Sequence, residues 1–209
     1  MAAGDLTTRG AVQTFLESTD SSRNDAIDAA ITNASAAISR YCAREFTATA
    51  SATRTFSVVP IETAGPLGPY RVDLAPYDLR TITTAHLHHG TPDAITLTSA
   101  DYLLRPENGT GGTYTDLLIR KSVSVQTGDR FANFGTAQLR IAGAWGFATV
   151  PTDVAYACIL TVAGWLRRDV PALEAGLDDP RMMLPDQPMG RRIPGAALAL
   201  LNPYRRTPV

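Results

Sequence analysis

Ser39-Arg40-Tyr41-Cys42-Ala43-Arg44-Glu45-Phe46 marks the change of character on which the fold turns. Ahead of it, Ile27, Ile31, Ala34, Ile38, Tyr41 and Cys42 recur at three- and four-residue steps, which is one face of an amphipathic helix. Ser22-Arg23-Asn24-Asp25 resembles a capping box with Asp in place of Glu or Gln, so the spacing predicts a long helix over about 22–46. Behind it, threonine and valine replace alanine, and Thr53-Arg54-Thr55-Phe56-Ser57-Val58 alternates as a half-buried strand does.

Working outward, Thr7 and Thr8 are cap residues for a short helix over about 7–17 bearing Val12, Phe15 and Leu16 on one side. Downstream, the β-rich stretch extends over about 47–147. Its short strands are read at 71–74, 79–87, 95–97, 102–105, 117–120 and 138–147. Loops are read at Pro60–Pro69, at Gly90-Thr91-Pro92-Asp93, at Asn108–Gly112 and at Val123–Asn133. Pro151 suits the first position of a helix and Asp153 its positive end, so a late helix is predicted over about 151–169. Val154, Ala155, Cys158, Ile159, Val162, Trp165 and Leu166 cover most of its circumference, which marks it as buried. Six prolines between Pro171 and Pro203 then predict a loose tail over 171–209. A short helix at about 195–202 presents Leu198, Leu200 and Leu201; being too short to be stable alone, it is expected to order only when docked. The expected fold is α+β. Two N-terminal helices and the late buried helix form a small bundle in a 1–170 domain, with a β-rich insertion and an extended C-terminal tail.

The composition narrows the function. A formal net charge of −1 is not that of a general nucleic-acid binder. Lys121 is the only lysine, and every other cation is arginine. No basic run precedes an apolar one at the N-terminus, so no signal peptide is expected. The longest apolar stretch, Val154 to Leu166, is too short to span a bilayer, so no membrane partner is expected. Cys42 and Cys158 fall at apolar helical positions and read as buried free thiols.

Candidate chemistry is sparse. His86, His88 and His89 are the only histidines, and in a strand His86 and His88 share a face, a metal-ligand spacing. No cysteine lies near them, and an exposed strand end is the simpler account, so no metal and no cofactor are expected. Asn108-Gly109-Thr110-Gly111-Gly112 lacks the Gly-Lys-Ser/Thr ending of a phosphate loop. No Gly-x-Ser-x-Gly elbow is present and neither cysteine has a histidine close in sequence, so no catalytic residues and no enzyme activity are expected. Tyr204 and Leu201 beside Arg205-Arg206 make an anchor-plus-charge motif of the kind found at protein interfaces.

Ile38, Tyr41, Arg44 and Phe46 match an Ile-x-x-Tyr-x-x-Arg-x-Phe helix ending, and Gly146-Phe147 followed by Val150-Pro151-Thr152-Asp153-Val154 matches a Gly-Tyr/Phe…Val-Pro-x-Asp/Glu-Val/Leu lead-in. With the terminal Leu200-Leu201-Asn202-Pro203-Tyr204-Arg205-Arg206, their order resembles the head–tail connector (adaptor) proteins of long-tailed bacteriophages. The resemblance spans roughly 6–46 and 138–169 plus that ending; the middle is longer and more β-rich than in the smallest members. It implies a structural virion protein, made in the host cytoplasm, that forms a homo-oligomeric ring, commonly twelve-fold, beneath the portal. Such a ring extends the DNA channel without sequence-specific binding and offers a platform to the next neck or tail protein. On this reading Leu198, Leu200, Leu201, Tyr204, Arg205 and Arg206 dock on the portal, and Ile31, Ile38, Tyr41, Trp165 and Leu166 form core or subunit-interface positions. The competing readings are another virion neck or tail component, such as a stopper or tail terminator, and a small metal- or ligand-binding α+β domain using His86, His88 and His89.

Overall fold

A computed structural model of the chain describes residues 4–60, 70–87, 94–106, 112–120, 137–174 and 193–206. The described residues form an α+β fold, with four α-helices and a curled seven-stranded antiparallel sheet. It divides into two compact units, Met1–Thr47 with Val150–Val209, and Ala48–Thr149.

The first unit is helical. Helix α1 is Arg9–Leu16, and Thr8 caps it by accepting the Ala11 N–H at 3.2 Å. A 3₁₀ turn, Ser21–Arg23, leads into α2, Asn24–Cys42. The expected Ser22 capping box does not form. Ser22 lies within the turn, its own N–H given to Asp20 at 2.8 Å, and α2 starts at Asn24 without a side-chain cap. The helix also stops earlier than the apolar spacing predicts. Ala43 turns left-handed (φ 50°), its N–H bonds the Arg40 carbonyl, and Arg44 N–H reaches back to Ser39. Arg44, Glu45 and Phe46 therefore lie beyond the helix. The Arg9–Asp28 ion pair links α1 to α2.

Helix α3 is Thr152–Glu174, and helix α4 is Gly195–Leu201, followed by a 3₁₀ turn, Asn202–Tyr204. α3 runs past Pro171, where the sequence predicts a break. A proline removes one amide donor but keeps a helical φ, so a helix packed along its earlier turns carries it one turn further. α3 packs on α1, α2 and α4. Ile27, Ile31, Ala34, Ile38, Cys42, Val154, Ala157, Cys158, Val162 and Trp165 are buried there. Ser35 is buried among them because its hydroxyl accepts the Leu6 N–H at 3.0 Å and lies 3.7 Å from the Cys158 sulfur.

The second unit holds β1 (Thr49–Pro60), β2 (Tyr70–Asp73), β3 (Leu79–Leu87), β4 (Ile95–Thr96), β5 (Tyr102–Arg105), β6 (Asp116–Ile119) and β7 (Ala137–Trp145). Their order across the sheet is β4-β3-β7-β1-β2-β6-β5. The last strand in sequence is thus inserted between the first and the third. β1 serves both halves of the sheet: Thr49 to Val58 pair with β7, while Val59 and Pro60 pair with β2. The sheet curls far enough for Leu79 to exchange both backbone hydrogen bonds with Tyr114, just ahead of β6 (2.9 and 2.7 Å). The enclosed face buries Val72, Leu74, Leu79, Leu87, Leu117, Ile119, Leu139, Ile141 and Trp145.

Gly143 is required by this closure. A Cβ there would overlap the Thr81 carbonyl oxygen, where β3 bulges against β7. Trp145 donates its indole N–H to the Ala52 carbonyl at 2.9 Å and packs with Phe56 and Tyr77. The Arg54 guanidinium stacks 3.3 Å from the Tyr77 ring centroid, so a cation covers the rim of an aromatic cluster. The loops read at Pro60–Pro69, Gly90–Asp93, Asn108–Gly112 and Val123–Asn133 lie largely or wholly outside the described residues.

Candidate functional site

The C-terminal motif singled out in the sequence sits on the helical unit of its own chain. Leu201 is fully buried, as is Ala197. Room for the segment comes partly from Gly164 of α3, where a Cβ would stand 3.3 Å from the Pro194 ring. Beyond α4 the chain crosses the end of α2. Tyr41 donates its hydroxyl to the Asn202 side-chain oxygen at 2.9 Å. Arg206 N–H bonds the Cys42 carbonyl at 3.0 Å, occupying one of the acceptors that a helix C-terminus leaves open. Tyr204 sets its ring edge-on to Phe46, centroids 6.0 Å apart, and the Arg205 guanidinium lies 5.4 Å from the Tyr41 ring. Burial pushes the Tyr204 hydroxyl up from its ordinary range, and the neighbouring Asp153 carboxylate adds to that.

This arrangement revises the expectation that the segment orders only on a partner. Its apolar residues find a surface on α3 and the end of α2, so burial within the chain supplies the docking that a two-turn helix needs. Of the six expected docking residues, Leu201 faces inward. Leu198, Leu200, Tyr204 and Arg206 are half-buried, and Arg205 is exposed. Arg40, also exposed, and Arg44 bring two further cations to the same end of α2. The gathered groups are rings, alkyl edges and guanidinium donors, a chemistry of binding.

Among the expected core or subunit-interface positions, Ile31, Ile38 and Trp165 are buried within their own chain, while Tyr41 and Leu166 are half-buried. An exposed aromatic pair escaped the sequence reading: Phe15 of α1 and Tyr156 of α3, 36% and 45% exposed, meet edge to face at 6.1 Å. The signal was Tyr156 itself, which falls off the apolar stripe of its helix.

His86 is half-buried on β3 and hydrogen-bonds Thr96 across the strand pair at 3.1 Å; His88 and His89 lie outside the described residues. Among the described residues no group of three or more His, Cys, Asp or Glu is placed to hold a metal ion. Both cysteines are buried free thiols. Burial pushes each up to about 11. No described helix is long and apolar enough to cross a membrane.

No family model matches the chain. No curated protein matches it either. Among solved structures, its fold is similar to a chain from the neck of an empty gene transfer agent (GTA) particle computed with C6 symmetry. The TM-score is 0.53 at 14% sequence identity, and the match covers 100% of this chain and 94% of that one.

Proposed function

We propose that this chain is a structural component of the neck of a phage-like particle, serving as the head-to-tail adaptor. The observation that carries the reading is the fold shared along the whole chain with a neck protein of a GTA particle. The order of helix ending, β-rich middle, Pro-started helix and basic terminal motif, which resembles the phage connectors, supports it independently of the coordinates. On this reading the chain forms a homo-oligomeric ring beneath the portal. The ring extends the DNA channel, carries the next neck or tail protein, and performs no catalysis and needs no cofactor. Twelve copies is the ring size proposed, a number compatible with the C6 symmetry of the neighbouring particle. The portal-facing surface is assigned to Leu198, Leu200, Tyr204, Arg205 and Arg206, with Leu201 anchoring the segment that presents them.

A stopper or tail terminator is the second virion reading. The paired long helices favour the adaptor: α2 and α3, of 19 and 23 residues, pack on one another.

The test is the mass of the purified protein in solution, alone and with portal, by light scattering. The adaptor reading expects a large ring, or a smaller species that becomes one on adding portal. Deletion of residues 195–209 is expected to abolish joining to portal, and His86→Ala to leave it intact. A monomer or dimer indifferent to portal would overturn the reading.

A further inference from the structure

Strands β4, β3, β7 and β1 lie side by side, and their pleat sends alternate residues to opposite faces. The inner face carries the core. The outer face is set by register. Thr55 of β1 stands opposite Arg140 of β7, which stands opposite His86 of β3, which stands opposite Thr96 of β4. The next row is Thr53, Ala142 and Thr84. The threonines of both rows are exposed, and Arg140, His86 and Ala142 are half-buried.

These four strands contain no aspartate or glutamate. The described carboxylates of the same unit lie elsewhere. Asp73 and Asp116 are on β2 and β6, Asp101 directly precedes β5, and Asp78 is buried ahead of β3. A general depletion of acids from strands does not account for this, since β2 and β6 both hold one. Charge is segregated within the sheet: one half carries its acids, and the other offers hydroxyls with an arginine–histidine row.

We propose that this outer face of β4-β3-β7-β1 meets the phosphate backbone of double-stranded DNA. The proposal rests on the neck reading, in which DNA passes the ring. Arg140 supplies guanidinium donors, and the threonine hydroxyls supply neutral donors, to phosphate oxygens. Such contacts position a duplex without reading its sequence. The missing carboxylates remove the repulsion that would hold a polyanion off. Arg140 is the one arginine of these two rows, which keeps each contact weak and strongly screened by salt, so DNA is guided without being gripped. Repetition around a ring multiplies contacts that one copy makes feebly.

The test uses the full chain, with its assembly state monitored by light scattering, and a short mixed-sequence DNA duplex read by fluorescence anisotropy at low and at physiological salt. The expected result is weak, sequence-independent binding that fades as salt rises. Thr55→Glu and Arg140→Gln should each weaken it about tenfold at low salt. Asn33→Glu, which puts a charge on an exposed position of α2, should leave it within about twofold, well short of the tenfold change that carries the claim. The proposal is overturned by no binding of the unaltered protein at low salt, by binding indifferent to Thr55→Glu, or by tight binding that survives physiological salt. Loss of assembly mass in Thr55→Glu, with no DNA binding to lose, would assign the face to protein packing and overturn it too. A chain that binds DNA through this face yet never assembles with portal would sink the neck reading and leave the partner of the face standing.

Discussion

The two units bury their apolar residues by opposite means. In the helical unit the core is drawn from long continuous segments, and α2 alone contributes Ile27, Ile31, Ala34, Ile38 and Cys42 along one stripe. In the β-rich unit the core is collected a few residues at a time, Phe56 and Val58 from β1, Val72 from β2, Leu79, Ala85 and Leu87 from β3, Leu117 and Ile119 from β6, and Leu139, Ile141 and Trp145 from β7. It exists only once the strands are side by side in the order β4-β3-β7-β1-β2-β6-β5. The first core is assembled from local periodicity. The second depends on long-range register, held where strands approach as closely as Gly143 approaches Thr81. The helical unit should therefore yield to substitution gradually, and the sheet abruptly.

The largest expected effect sharpens that contrast. Gly143→Ala forces a Cβ onto the Thr81 carbonyl and should cost the β-rich unit about 3 kcal/mol or more, seen as a fall in its urea midpoint. A cost under about 1 kcal/mol would show that the bulged register can slide. Leu201→Ala removes the buried anchor of α4 and should cost about 2–3 kcal/mol. Amide exchange should rise over 195–206 while the sheet stays protected; uniform loss of protection would break the division into two units.

Next in size is the alkaline limb of stability. Cys42 and Cys158 lie in the helical unit with thiols raised from 9.0 to about 11. Between these values the unfolded chain gives up thiol protons that the folded chain retains, so stability falls as pH rises from 9 to 11 and is unaffected by these groups below 9. Tyrosines titrate in the same range, so the measurement is the difference in pH slope between the unaltered chain and Cys42→Ala/Cys158→Ala. Equal slopes would refute it. Arg54→Ala strips the cation from the Tyr77 ring and should cost about 1 kcal/mol, with the Trp145 fluorescence reporting the exposed rim. At the small end, Gly10→Ala on α1 meets open space and should stabilise the helical unit by about 0.5 kcal/mol.

The helices were legible because a 3.6-residue period repeats several times within each, and the strands because alternation and turn residues bracket them. β3 spans the predicted residues 79–87, and β1, β6 and β7 differ from prediction only at their ends. The errors have local causes. Asp20 took the capping bond assigned to Ser22, and the left-handed Ala43 ended α2 ahead of three residues that continue its polar–apolar pattern. At the candidate site, the anchor-plus-charge motif was visible, but which of its leucines faces inward was not. That was decided by the surface of α3, where Gly164 leaves room against Pro194.

By itself the amino-acid sequence determined the α+β class, the positions of the long helices and most strands, and the burial of both cysteines. These follow from the chemistry of neighbouring residues and need no knowledge of distant ones. Only the tertiary structure decided that β7 inserts between β1 and β3, that the curl brings Leu79 to Tyr114, and that the terminal segment closes over the end of α2 through Asn202 and Arg206. Each of these joins residues far apart in the chain. A hydrogen bond or buried contact of that kind leaves no periodic trace, because its partner is selected by shape and register in space.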